Sequence, residues 1–149
     1  MLFKFHATQS MPVPPGSIVQ VPLPVFGIAA PLTEVSIAVH VRHRAMDLLS
    51  LALVSPDTQM VLLTAFQGGS ATSFGESPAQ PLVFHDDAEA SVTRALFPPL
   101  VGAYRPLEKL ANFRGLPPSI ANGHWHLVVM DVGRTASALV VSATLVLRA

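Results

Sequence analysis

Prolines constrain the fold of this chain more than any other residue type. Fourteen prolines and nine glycines are spread over 149 residues and divide the sequence into short apolar runs. Proline lacks a backbone N–H and breaks both helices and central strands, which leaves short strands joined by turns. Short strands at regular intervals are typical of a β-sandwich or a β-barrel. The sequence therefore predicts an all-β chain with little helix.

The strongest strand pattern lies at Glu34–Arg42. Alternate side chains of a strand point to opposite faces, so one face is predicted to carry four aliphatic residues: Val35, Ile37, Val39 and Val41. Two further apolar runs, Leu48–Val54 and Met60–Phe66, flank Ser55-Pro56-Asp57-Thr58, where proline presets the backbone of a turn. They predict a β-hairpin. The polar stretch Gln67–Gln80 is expected to be a surface loop.

The charge content restricts the partners of the chain. Charged residues make up 12% of it, hydrophobic residues 50%, and nine basic side chains balance nine acidic ones. A neutral chain offers no electrostatic footprint for nucleic acid or for an anionic membrane. A surface so poor in charge favours association. We therefore expect protein partners, in a homo-oligomer or in a larger particle, with an apolar interface above about 1,000 Å².

Several kinds of site and segment are missing from the sequence. It contains no cysteine, which excludes disulfides, thiolate metal sites and a cysteine nucleophile. The first residues, Met1-Leu2-Phe3-Lys4-Phe5-His6, lack the basic and then apolar pattern of a secretory signal. No apolar run approaches the roughly 18 residues of a membrane span. We expect a protein that is made in the cytoplasm without Sec export.

The sequence does not indicate a hydrolase. A serine nucleophile needs a base and an oxyanion hole, and there is no Gly-x-Ser-x-Gly segment. The Ser-rich stretch Ser70–Ser77 has no histidine close in sequence, and no glycine-rich phosphate-binding motif occurs. The chain is therefore predicted not to be an enzyme.

Trp125 lies between two histidines on the predicted strand His124–Asp131. Neighbouring side chains of a strand point to opposite faces, so the indole is predicted to enter the core while His124 and His126 leave on the other face. Two histidines at this spacing chelate zinc when a third ligand joins them. We favour the simpler interpretation, in which both are polar residues on the solvent face.

Five segments of the chain share their order and spacing with a known domain family. They are the strand ending at His43 followed by Asp47-Leu48, then Leu53–Thr58, Phe84–Ala88, Gly102–Gly115 and Asn122–Asp131. The last three are similar to Phe-x-Asp-x-Ala, to Gly-x-Tyr-Arg-Pro followed by Leu-x-x-Phe-x-Gly, and to Asn-Gly-x-Trp-x-Leu with its trailing aspartate. Together they resemble the bacterial type of the P domain (Homo B domain) of subtilisin-like proprotein convertases, over about residues 15–147.

The resemblance implies a jelly-roll-like β-sandwich of about eight to nine strands over residues 15–149. Residues 1–14 would form an apolar, Pro-containing arm outside it, able to lie along a neighbouring subunit. In convertases the P domain stabilises a subtilisin-like catalytic domain and tunes its calcium and pH response, but no such domain fits in this chain. Met46 stands where the family usually has glycine, which weakens inferences about loop function. Four residues at family-like positions are expected to be structural: Tyr104, Arg105, Phe113 and Trp125.

Four aspartates at the ends of predicted strands, also at family-like positions, form a candidate calcium site: Asp47, Asp86, Asp87 and Asp131. Calcium takes several oxygen ligands from carboxylates and loop carbonyls. The alternative is that these carboxylates accept backbone N–H bonds and cap turns. Calcium binding would raise the melting temperature in millimolar calcium.

These features favour a non-catalytic structural or interaction module that works within a larger assembly. The leading hypothesis is a virion component that decorates or cements a capsid, because jelly-roll sandwiches are frequent in capsids. One alternative is an accessory P domain that stabilises a protease in trans. The other is a calcium-dependent module that binds a ligand or a carbohydrate.

Overall fold

Two β-sheets contain nearly all the regular structure of the computed structural model, which describes residues 1–66, 73–92 and 101–149. The larger sheet has eight strands and the smaller has four. In chain order the strands are β1 Leu2–His6, β2 Met11–Val13, β3 Ile18–Val25, β4 Glu34–Arg42, β5 Leu49–Val54, β6 Met60–Ala65, β7 Ser73–Phe74, β8 Leu82–Phe84, β9 Ala90–Ser91, β10 Gly102–Arg105, β11 Gly123–Asp131 and β12 Ala138–Arg148. The predicted all-β sandwich is confirmed. Strands of two or three residues (β2, β7, β8 and β9) account for the excess over the eight or nine expected.

The larger sheet runs in the order β1-β12-β4-β8-β10-β9, with β2 also paired to β12 and β7 to β4. Its pairs are antiparallel except that β10 lies parallel to β8 and β9. The smaller sheet is antiparallel in the order β3-β11-β5-β6. Each sheet therefore ends, on one side of the sandwich, in a strand from the amino-terminal part of the chain: β1 in the larger sheet and β3 in the smaller.

Helices are short in the described part of the chain. There are 3-10 turns at Met46–Leu48 and Leu110–Phe113 and one α-helix, α1, at Pro118–Ala121. None of the helices in the described segments has the length and hydrophobicity that a membrane crossing requires.

The core lies between the facing sides of the two sheets. The predicted inward face of β4 is fully or nearly fully buried, and it belongs to the same cluster as the inward residues of β11. Those residues of β11 are Trp125, Leu127 and Val129. Strict alternation thus places one side chain of every two against the opposite sheet.

The predicted hairpin joins β5 to β6, which pair antiparallel. Its turn closes through the Thr58 N–H, which donates to the Ser55 carbonyl over 2.9 Å. The Ser55 hydroxyl also donates to the Asp57 carboxylate. Thr58 has a φ of 70°, a left-handed value that usually favours glycine. The hydrogen bond from the Ser55 hydroxyl to the Asp57 carboxylate helps to hold this backbone conformation without a glycine.

The amino-terminal segment belongs to the larger sheet of the sandwich, which corrects the expectation of an arm outside it. Leu2–His6 pairs with β12 over its whole length, and Met11–Val13 pairs with the start of the same strand. Phe5 and Val13 are buried in the core. The resemblance to P domains begins near residue 15 and carries no information about this added edge strand.

The expected surface loop 67–80 falls partly outside the described residues, and its described part contains a strand. Phe74 in β7 is fully buried and pairs with Val41 of β4. The next residue, Gly75, has a φ of 78°, and a Cβ there would lie 2.9 Å from the Val39 carbonyl oxygen. Glycine lets this segment lie directly on β4. The polar composition of this segment predicts a surface loop and gives no sign of this contact with β4.

Candidate functional site

Trp125 and Phe113 lie in the core with their rings edge to face. The ring centroids are 5.0 Å apart, and the Trp125 Nε1–H donates to the Ala121 carbonyl over 2.8 Å. A buried indole with a bonded N–H contributes its apolar area without leaving a polar group unsatisfied. Tyr104 is half-buried against the core, whereas Arg105 is exposed at the end of β10.

His124 and His126 both lie on the outer face of β11, opposite the buried Trp125. They line a cavity of about 200 Å³ with residues of β3 and of the β5–β6 turn. The described residues contain no group of three or more His, Cys, Asp or Glu side chains placed to hold a metal ion. The two imidazoles therefore have no third zinc ligand among these residues.

Asp86 caps a turn. Its carboxylate accepts the N–H groups of Leu110 and Ala111 over 2.9 and 2.8 Å, at the start of the 3-10 turn. Asp87 and Asp47 are exposed. The structure therefore places Asp86 in the alternative role, as a turn cap, and calcium binding at this set of aspartates stays a prediction.

Asp131 forms a buried pair with His43. His43 Nε2 lies 3.1 Å from Asp131 Oδ2 and 3.2 Å from the Ala136 carbonyl. Both partners are acceptors, so Nε2 carries the proton, while Nδ1 accepts the Ala45 N–H over 2.9 Å. Asp131 Oδ1 accepts the Gly133 N–H over 2.7 Å. The pair links the end of β4 to the end of β11, and so ties one sheet to the other.

This pair has two members of a catalytic triad but not the geometry of one. In a triad the ring nitrogen that faces away from the carboxylate takes the proton of the nucleophile. In His43 that nitrogen, Nδ1, is occupied by a backbone N–H, so no lone pair is free for a serine. The pair connects the two sheets and leaves no ring nitrogen of His43 available to accept a proton.

A polar cavity of about 630 Å³ opens beside the same end of β4. Arg42 and Arg44 line it and are exposed, and neither forms a salt bridge within the described residues. His40 also lines it, and its Nδ1 is buried without a hydrogen-bond partner. Burial, and then the nearby Arg42 charge, lower the pKa of His40 below its ordinary value. Glu76 is a third exposed charged residue of the lining, so the rim carries both basic and acidic groups beside an imidazole whose pKa is lowered.

An apolar groove lies where the edge of the larger sheet meets the edge of the smaller one. We name it the seam groove; it has a volume of about 630 Å³ and is lined by Phe3, Lys4, Phe5, His6, Ala7, Thr8, Pro24, Phe26 and Gly27. Phe3 and Phe5 stack with centroids 6.2 Å apart, and Phe26 meets Phe5 edge to face at 5.6 Å. Phe26 is nevertheless 74% exposed. The Phe26 ring therefore adds to the apolar surface that faces solvent and does not cover the groove.

Sequence reasoning noted the apolar character of residues 2–5 but missed Phe26. The groove depends on Phe26 following β3 directly and on β1 lying beside β3, and this proximity is a tertiary feature. The aromatic residue before Gly27 was the only local signal, and it is weak. The His43–Asp131 pair was missed for the same reason, since the two residues are 88 positions apart.

No protein-family model matches the chain, and no curated protein matches it in sequence. Among solved structures, a serine protease of Aeromonas sobria has a similar fold, with a TM-score of 0.52 and 17% identity over 99% of this chain and 27% of that one. The chain thus spans about a quarter of the length of that protease. Membership of the P-domain family stays an interpretation.

Two further structures align less well. The crystal structure of the Aeromonas sobria serine protease with its chaperone ORF2 contains a chain that matches with a TM-score of 0.45 and 20% identity, over 90% of this chain and 27% of that one. The protein FLHE matches with a TM-score of 0.49 and 12% identity, over 98% of this chain and 95% of that one. Both TM-scores fall below 0.5 and add nothing to the fold assignment. At these identities the similarity concerns the fold alone.

Proposed function

We propose that this chain is a non-catalytic interaction module that docks on a protein partner through the seam groove. The observation that carries the proposal is the exposed ring of Phe26, which contacts Phe5 edge to face, while Phe5 stacks with Phe3. An apolar surface rimmed by polar residues is typical of a protein interface. In a chain with 12% charged residues, little else on the surface opposes association.

We further propose that the partner is a subtilisin-like serine protease, which the chain stabilises in trans. Two lines support this partner: the five segments that resemble a P domain, and the similarity of the fold to about a quarter of a serine protease. The virion component favoured by the sequence has no comparable support. The occupied ring nitrogens of His43 support a role without catalysis.

The test is the thermal inactivation of a subtilisin-like protease from the same source, measured with and without this chain. A partner that binds only the folded protease stabilises it by about 2.7 kcal/mol when present at a hundred times its dissociation constant. We therefore expect a longer half-life of protease activity. Phe26→Ser should remove the effect, because it introduces a polar hydroxyl into the apolar contact.

Met60→Ser is the matched control. Met60 is 58% exposed and begins β6, at the far edge of the smaller sheet. It should leave the protection intact. Equal half-lives with and without the chain would overturn the protease as partner. The non-catalytic role would be overturned if the isolated chain hydrolysed an ester substrate and the His43→Ala variant did not.

A further inference from the structure

Strand β1 has an unpaired edge. The backbone hydrogen bonds at the two ends of the strand show which of its residues bond to β12 and which face the free edge. Met1 and Ala149 exchange both backbone bonds, and the Ala7 N–H donates to the Ala143 carbonyl. The register between these points is continuous. In an antiparallel ladder every second residue bonds to the partner strand, so the odd-numbered residues of β1 face β12.

The even-numbered residues of β1 therefore point their N–H and C=O groups away from β12. These residues are Leu2, Lys4 and His6, and no described strand pairs with that edge. Unpaired edges are templates for the addition of another strand. This edge borders the seam groove, which is lined by Phe3 and Phe5 of the same strand.

A strand added to β1 would place its side chains in a defined order. Side chains directly opposite each other on neighbouring strands share a face. Residues opposite Phe3 and Phe5 would thus enter the apolar groove beside Phe26, whereas the residue opposite Lys4 would lie on the outer face. Lys4 is exposed and forms no salt bridge among the described residues, so an acidic residue fits opposite it.

We propose that the occupant of this edge is an extended segment of the partner protein with the pattern apolar-acidic-apolar, which adds to the larger sheet as a strand beside β1. The inference rests on the proposed function, because it describes how the seam groove engages that partner. Backbone bonds to Leu2, Lys4 and His6 supply affinity, and the two apolar side chains in the groove supply selectivity.

A second copy of this chain fits the edge less well. Two β1 strands that cross at their centres would place Lys4 opposite Lys4, and like charges directly opposite each other destabilise strand pairing. Lysine on an edge strand also acts against self-association. A partner segment with an acidic residue turns the same charge into an attraction.

The experiment measures binding of a labelled seven-residue peptide with a central Leu-Glu-Leu, by fluorescence anisotropy. Saturable binding is expected, and a peptide of the same composition with Leu-Leu-Glu should bind at least about tenfold more weakly, because one apolar side chain then leaves the groove. Lys4→Glu should reverse the preference toward Leu-Lys-Leu. No binding at millimolar peptide would overturn the proposal.

N-methylation of the peptide separates strand addition from simple apolar contact. Only alternate N–H groups of an added strand face β1, whichever way it runs. Methylating one alternate set should weaken binding by about tenfold or more, and the other set should have little effect. Equal effects of both sets would overturn strand addition, while the groove could still dock the protease.

Protein variants supply the complementary control. Lys4→Pro removes one outward N–H and leaves the β1–β12 bonds in place, whereas Lys4→Gln removes the same charge but keeps the N–H. Lys4→Pro should bind the peptide more weakly than Lys4→Gln. A concentration-dependent dimer that Lys4→Pro abolishes would instead assign the edge to a second copy.

Phe26→Ser distinguishes the two proposals. If this variant loses protease protection while the methylated peptides all bind alike, docking stands and strand addition fails. If it keeps full protection, the seam groove is not the docking surface and the proposed function fails, whatever the peptide does.

Discussion

The two edge strands that flank the seam groove differ in how their free edges are closed. In β3 the Asp131 N–H donates to the Ser17 carbonyl, so the odd-numbered residues face β11 and the even-numbered ones face outward. Two of those outward positions are Pro22 and Pro24, which have no N–H to offer. The outward positions of β1 are Leu2, Lys4 and His6, and each keeps its donor. One edge of the seam is therefore partly blocked and the other is open.

The same strands also differ in how firmly they are held. Strand β3 buries Val21, Leu23 and Val25, whereas β1 buries Phe5 and only part of Phe3. Proline on an edge strand is one of the devices by which proteins prevent another strand from pairing there. The contrast indicates that β3 is structural and that β1 combines a structural face with an edge left available.

The largest expected effect concerns the support of β3. Trp125 lies opposite Leu23 in the neighbouring strand and is fully buried. Trp125→Ala should lower the free energy of unfolding by about 3–5 kcal/mol, because it leaves a large cavity. Urea denaturation measures it. A loss below about 1 kcal/mol would show that the inward and outward faces of β11 are assigned the wrong way round.

A somewhat smaller effect is expected at the anchor of β1. Phe5→Ala should lower the free energy of unfolding by about 3 kcal/mol, the lower end for buried phenylalanine, because Phe5 lies at the edge of the core. Amide hydrogen exchange should speed up in β1 more than in β3. The matched control is Phe26→Ala, at an exposed position, which should change stability by about 0.5 kcal/mol or less. Uniform acceleration in both strands would contradict the separate anchoring of the two edges.

Sequence patterns predicted the strands of the sandwich better than its edges. Alternation at Glu34–Arg42 and the turn at Ser55–Thr58 are local, so periodicity and turn chemistry reveal them. The pairing of Leu2–His6 with the last strand joins opposite ends of the chain, and no local pattern encodes it. Pro22 and Pro24 of β3 are also a local signal, because a residue without an N–H fits only where a strand has no neighbour on that side.

The candidate site was even less accessible to sequence reasoning. Strand-end aspartates suggested calcium, but a carboxylate that binds metal and one that caps a turn look alike in sequence. The structure gives Asp86 two backbone donors and Asp131 a buried imidazole. Exposure of Phe26 depends on what packs above it, which only the tertiary structure defines.

Lowering the pH should reduce the stability of the chain through a histidine of the larger sheet, the sheet that also carries β1. His40 lies in β4, and burial followed by the Arg42 charge lowers its pKa from the ordinary value of 6.5. The unfolded chain then binds a proton more readily than the folded chain. The contribution of His40 to the free energy of unfolding is therefore fully present above its ordinary pKa, and it is lost as the pH falls through the lowered pKa of the folded chain. Denaturation between pH 8 and pH 5 should show a smaller loss in His40→Gln than in the native chain. Identical pH profiles would contradict this role for His40.

The smallest expected effect on stability comes from opening the blocked edge. Pro24→Val adds an outward N–H to β3 without disturbing its bonds to β11, because Pro24 faces away from that strand, so the free energy of unfolding should change by about 0.5 kcal/mol or less. Self-association should nevertheless rise, because the variant has an additional unpaired donor beside the apolar groove. Sedimentation velocity over a range of concentrations measures it, with Pro31→Val, at an exposed proline outside the strands, as the matched control. If Pro24→Val stays as monomeric as the control, proline is not what closes the β3 edge, and the contrast with β1 must come from how firmly each strand is anchored in the core.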